Sequence, residues 1–86
     1  MQFSIPEHIQ LTEIEGRWVL LDCRANRFFA INKTGAEFLE QVNLCGEIEL
    51  AIHHISRAYE IPFERAKNDM EQFIRNLSEK ELIFGL

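Results

Sequence analysis

The sequence predicts an α+β fold of winged-helix-like layout, three antiparallel strands followed by three helices. Three observations carry this expectation. Aromatic, β-branched and apolar residues gather in short runs before residue 32; apolar stripes of helical period follow it; and turn-forming residues separate the runs in both halves.

The first strand is read over Ile9–Ile14, apolar at 9, 11 and 14, and ends at Glu15-Gly16. Arg17–Asp22 forms the second, with Trp18 and Leu20 alternating against Val19 and Leu21, so both of its faces are apolar. Cys23-Arg24-Ala25-Asn26 makes a turn in which Asn26 is the best residue for a left-handed conformation. Arg27–Ile31 is the third strand, and short connections between sequential strands imply an antiparallel meander. Asn32 is a good N-cap for the first helix, with Thr34 to Glu37 a competing capping box. That helix carries apolar residues at 36, 38, 39 and 42 and closes at Leu44-Cys45-Gly46. The second is read from Ile48, Ala51, Ile52, Ile55 and Tyr59, and Pro62 stops it. Phe63, Ala66, Met70, Phe73, Ile74 and Leu77 give the third a single stripe about 100° wide. Leu82-Ile83-Phe84 is an apolar tail or a short last strand.

Eighty-six residues fit one domain, expected to span 1–86. A net charge of −5 speaks against a nucleic-acid partner, since phosphate binding draws on surplus Lys and Arg. No run is long enough to span a membrane, and the start lacks the basic and apolar regions of a signal peptide, so a cytoplasmic location is expected. Cys23 and Cys45 stand apart and are expected as small buried hydrophobes rather than a disulfide or metal pair. His53 and His54 point about 100° apart on a helix, one toward the core and one toward solvent. Asp22 ends a strand, where a carboxylate steadies a turn. No phosphate loop and no convergent acid, base and nucleophile set is legible. The expectation is a non-enzymatic protein with no cofactor and no metal.

The sheet is the informative part. Helices on one side require one apolar face, yet Phe28 and Phe29 in succession point to opposite sides. The second face must cover something: the N-terminal segment around Phe3 and Ile5, a second copy, or a partner. The third strand also ends the meander, which leaves one edge open to an added strand. Each new backbone hydrogen bond nets roughly 0.5–1.5 kcal/mol, whereas ordering a peptide residue costs roughly 1–2 kcal/mol. Strand addition therefore needs apolar anchors, at roughly 1.5–3 kcal/mol each, and the space between the third strand and third helix is the natural pocket.

Read together, Val19-Leu20-Leu21-Asp22 and Arg27-Phe28-Phe29-Ala30-Ile31-Asn32-Lys33-Thr34-Gly35 resemble the signature of PqqD-like proteins, the precursor recognition elements of ribosomally made, modified peptides. Ala58-Tyr59, Glu64-Arg65-Ala66, Asp69 and Glu81-Leu82-Ile83 extend the likeness over residues 14–84. It is nearest to the free-standing members of lasso-peptide pathways, which work beside a separate leader peptidase and a cyclase. The resemblance implies that a precursor leader peptide lies antiparallel along the third strand. Main-chain contacts then fall on Arg27, Phe28, Phe29, Ala30 and Ile31, and helix contacts on Arg65, Asp69, Met70 and Phe73. Positions 69, 76 and 80 flank one side of the third helix's stripe, and 67, 71 and 78 the other; either could line the groove.

Two positions depart from the family's pattern. Pro62 stands where a capping Asp or Ser is usual, and Asn43-Leu44-Cys45-Gly46-Glu47 lacks the aspartate-glycine of quinone-cofactor relatives. Within the family the alternative is a peptide chaperone for the pyrroloquinoline-quinone precursor. Outside it stand a winged-helix DNA-binding domain, for which the third helix is too nearly neutral, and a homodimer pairing through the strand edge or second face.

Overall fold

The computed structural model describes residues 5–83. Three strands, β1 (Ile9–Ile14), β2 (Arg17–Asp22) and β3 (Arg27–Ile31), precede three helices, α1 (Lys33–Cys45), α2 (Ile48–Ala58) and α3 (Phe63–Glu79). The sheet is antiparallel in the order β1-β2-β3, so β3 is an edge strand. The predicted α+β meander followed by three helices is the observed fold.

The turns follow from their residues. Glu15 and Gly16 both take positive φ (51° and 79°), the conformation that closes a two-residue hairpin and matches the twist of the strands it joins. Asn26 sits at φ 55°, the left-handed position expected of it. The Asp22 carboxylate accepts from the N–H groups of Arg24 (3.1 Å) and Ala25 (3.0 Å) and pairs with the Arg27 guanidinium at 3.2 Å. The Ala25 N–H first, then Arg27 and Arg24, hold this buried carboxyl below its ordinary pKa against the opposing effect of burial. Asp22 therefore fastens both ends of the β2–β3 connection.

At α1 the two capping candidates are resolved in favour of Asn32, whose Oδ1 accepts from the Gly35 N–H at 2.7 Å. α3 has Pro62 at its N-cap and no side-chain cap, and Phe63 instead stacks on His53, with centroids 4.2 Å apart. His54 is exposed, as the pairing of the two histidines predicts. α2 and α3 end in the same way. Glu60 (φ 53°) and Glu81 (φ 59°) turn left-handed, while Ile61 and Leu82 donate back to Ser56 and Leu77. These are Schellman closures with glutamate in the place glycine usually takes. The second of them folds the tail inward, so that Leu82 and Ile83 are buried; no strand forms there among the described residues, and Phe84 lies outside them.

One face of the sheet gives Ile9 and Leu20 to a core shared with Phe38, Leu39, Ile55, Ile74 and Leu82. Phe38, Leu39 and Leu82 have no exposed surface. Two expectations need correction. Cys23 and Cys45 are free and exposed rather than buried, because one sits in the β2–β3 turn and the other in the last turn of α1. Tyr59 does not continue the α2 stripe: the helix has ended, and its half-exposed ring directs the hydroxyl to Glu37 Oε2 at 3.0 Å. Of the three candidate covers for the second sheet face, the N-terminal segment is narrowed: Ile5 packs against the helix-side core, and Phe3 lies outside the described residues. No described helix is long and apolar enough to cross a membrane.

Candidate functional site

The edge of β3 has a definite polarity of hydrogen bonding. Residues flanking a two-residue hairpin loop form a hydrogen-bonded pair, and such pairs alternate along an antiparallel ladder. Ile14 faces Arg17, so Arg17, Val19 and Leu21 bond to β1, and the Cys23 N–H continues the series onto His8 O at 2.8 Å. Trp18, Leu20 and Asp22 therefore bond to Ile31, Phe29 and Arg27. Among the described residues no strand pairs with the outer edge of β3, to which the N–H and C=O groups of Phe28 and Ala30 are turned.

The side chains divide by the same alternation. Phe29 and Ile31 are on the face that bears Leu20 and are packed against the core. Phe28 is on the other face with Val19 and Leu21, and is 71% exposed. Of the predicted contact residues, Phe28 thus brings its backbone to the edge but points its ring away from α3.

Between β3 and α3 runs a groove made of two adjoining hollows. One, of about 210 Å³, is lined by Phe29, Ala30, Ile31, Phe73, Leu77 and Leu82 among others, with Lys80 at its mouth. The other, of about 320 Å³, is lined by Thr34, Asp69, Met70 and Gln72. Asn32, Phe73 and Asn76 border both, so the two form one channel along α3. The flank of α3 in the groove is therefore the one bearing 69, 76 and 80. Lys67 and Glu71 border a separate hollow against α2 with Ile48, Ile52 and Phe63.

The groove is charged differently at its ends. The Arg27 guanidinium and the Lys80 ammonium lie 5.2 and 5.7 Å from the centroid of the Phe29 ring, a cation–π arrangement around one wall. Asp69 stands at the opposite end. Arg65 is exposed one turn before Asp69 and borders neither hollow.

Sequence reasoning placed Phe29, Ala30, Ile31, Asp69, Met70 and Phe73 here. It missed Asn32 as a groove residue, having read it only as a cap, and it missed Leu82. The signal for Leu82 lay in Lys80-Glu81, polar residues followed at once by an apolar pair that must turn back to be buried. Among the described residues, no cluster of His, Cys, Asp or Glu is arranged to hold a metal.

Fold and site define an α+β module that offers an open strand edge beside a helix-walled groove. The sequence profile described as coenzyme PQQ synthesis protein D (PqqD) matches residues 17–83, and the chain belongs to this family. Two solved structures share its fold. TbiB1 in complex with the TbiA(beta) leader peptide is 22% identical, with a TM-score of 0.84 over 96% of each chain. A lasso peptide synthetase B1 complexed with a leader peptide is 19% identical, with a TM-score of 0.86 over 99% of this chain and 100% of that one. No curated protein matches the sequence.

Proposed function

We propose that this protein binds the leader segment of a ribosomally synthesised precursor peptide of lasso type, by strand addition to β3 in the groove beside α3. The observation that carries the reading is the outer edge of β3, unpaired among the described residues, lying against an apolar channel. Both solved relatives of the fold are described as bound to leader peptides, which supports the same use of the site here.

Phe28 and Ala30 offer two donors and two acceptors, a net of about 2–6 kcal/mol at roughly 0.5–1.5 kcal/mol each. Ordering a five-residue strand costs about 5–10 kcal/mol. The difference falls to side chains of the peptide that enter the groove, where Phe29, Ile31, Phe73, Leu77 and Leu82 offer apolar contact. β3 and α3 run in opposite directions along the channel, because Phe29 shares a hollow with Lys80 and Thr34 shares one with Asp69. A peptide antiparallel to β3 therefore enters beside Asp69 and leaves beside Lys80.

In this reading the protein is a binding module rather than an enzyme, one domain acting in the cytoplasm. It delivers the bound precursor to a separate leader peptidase and a cyclase. Trp18 pairs with Ile31 in the sheet and reports on the groove. Its fluorescence should change on titration with the leader peptide of the precursor encoded near this protein's gene. Absence of binding up to about 100 μM, a free energy of only about −5.5 kcal/mol, rules the proposal out. Binding of a pyrroloquinoline-quinone precursor instead would move the protein to the other branch of its family.

A further inference from the structure

We infer that Gly35 sets the depth of the groove, by letting the Phe73 ring lie back against the first turn of α1 so that the joint between the two hollows admits a bulky apolar side chain of the peptide. This rests on the leader-binding reading and specifies the chemistry of its central subsite.

Gly35 is inside α1 and buried, with no positive φ, so nothing in its backbone conformation calls for glycine. Glycine is otherwise a poor choice within a helix, where alanine is favoured. The reason is space. A methyl group at Gly35 would stand 2.7 Å from Cζ and 2.9 Å from Cε1 of Phe73, whereas carbon atoms rest at about 3.5–4.0 Å. The ring would have to withdraw by about 1 Å to restore that separation.

Phe73 cannot withdraw inward. The fully buried Phe38 meets it edge-on, with centroids 6.3 Å apart and planes at 73°. The open direction is the groove. Phe73 borders both hollows together with Asn32 and Asn76, so a ring pushed outward narrows the channel where the two meet. Gly35 acts through Phe73 and is a positioning residue; it need not touch the peptide.

A second consequence of the same methyl must be separated from this one. It would also stand 3.1 Å from Asn32 Oδ1, the acceptor that caps α1. Shortening Phe73 relieves the contact with the ring and leaves the contact with the cap.

The test is a leader titration, followed by Trp18 fluorescence, of the wild type, Gly35→Ala, Phe73→Leu and the double variant, with thermal melts to establish folding. Gly35→Ala is expected to weaken binding by about tenfold or more, the share of one apolar anchor. The double variant is expected to bind within about threefold of Phe73→Leu alone, since leucine leaves room for the methyl. A folded Gly35→Ala that binds like the wild type overturns the inference, and so does a double variant that binds more than about threefold more weakly than Phe73→Leu. If Gly35→Ala does not fold, Phe73→Leu carries the test with leaders in which each apolar residue is enlarged in turn to Trp. At least one such leader should favour Phe73→Leu over the wild type by about threefold or more, and an unchanged ranking overturns the inference. A wild type that binds no leader overturns the leader reading itself, whereas one that binds while these variants behave alike overturns only the role of Gly35.

Discussion

Both flanks of α3 border hollows, of about 180 Å³ on the α2 side and about 210 and 320 Å³ on the β3 side, and they differ in what stands opposite. Asn76 and Lys80 face β3, whose outer edge has backbone groups left unpaired among the described residues. Lys67 and Glu71 face α2, a helix whose backbone groups are bonded within itself. A hollow against a helix offers an extended peptide side-chain contact alone. A hollow against a strand edge offers a ladder as well, and only there do the backbone of a peptide and its anchors find partners together.

The strongest way to break this comparison is to close the ladder and leave the hollow. Ala30→Pro removes an outward N–H and puts a ring in the path of an incoming strand. That amide has no partner in the sheet, and an edge strand accepts proline there. Leader affinity should fall about 100-fold or more, as expected for losing a strand's register together with its anchors. The circular dichroism spectrum should be retained.

A matched pair sharpens the comparison further. Asn76→Trp fills the β3-side channel and should weaken binding about tenfold. Glu71→Trp fills the α2-side hollow and should leave affinity within about twofold, a change below 0.5 kcal/mol. Equal effects of the two would mean that the peptide does not distinguish the flanks.

The β2–β3 turn that holds the edge in place has its own signature in acid. Asp22 titrates below its ordinary value in the folded chain, so between the two values the unfolded chain binds more protons and stability rises with pH. The contribution is complete above the ordinary carboxylate range, about pH 4, and is lost as pH falls through the lower folded value. Asp22→Asn should lower the melting temperature at pH 7 and flatten its dependence on pH in that acid window. An unchanged acid profile would detach Asp22 from the turn.

The smallest effect concerns the helix ends. Glu60 is left-handed without being glycine, and Glu60→Gly should stabilise the fold by about 0.5–1 kcal/mol, the difference between the cost of a side chain there and the freedom glycine loses. Chemical denaturation measures it.

What the sequence made legible follows local physics. Strand alternation placed Phe28 and Phe29 on opposite faces, the turn chemistry of Asn26 and Glu15-Gly16 marked the hairpins, and the α3 stripe was complete. The flank of α3 was not legible, because each side carries one acid, one base and one uncharged polar residue. The choice between them depends on how α1 and α2 carry the chain across the sheet, a tertiary matter that no local pattern records. Tyr59 misled because helical spacing continues past a helix that has already ended at Ala58. The cysteines misled because their usual burial was weighed above their positions in a turn and at a helix end. Leu82 escaped notice because its burial depends on a left-handed Glu81, a conformation glutamate does not advertise.

Hydrogen exchange of individual amides, with and without the leader peptide, tests the central claim most directly. In the free protein the N–H groups of Phe29 and Ile31 are bonded within the sheet and should exchange slowly, while those of Phe28 and Ala30 exchange fast. Leader binding should slow Phe28 and Ala30 selectively. Binding that leaves both amides fast, with new protection beside Lys67 and Glu71, would contradict strand addition and place the peptide on the other side of α3.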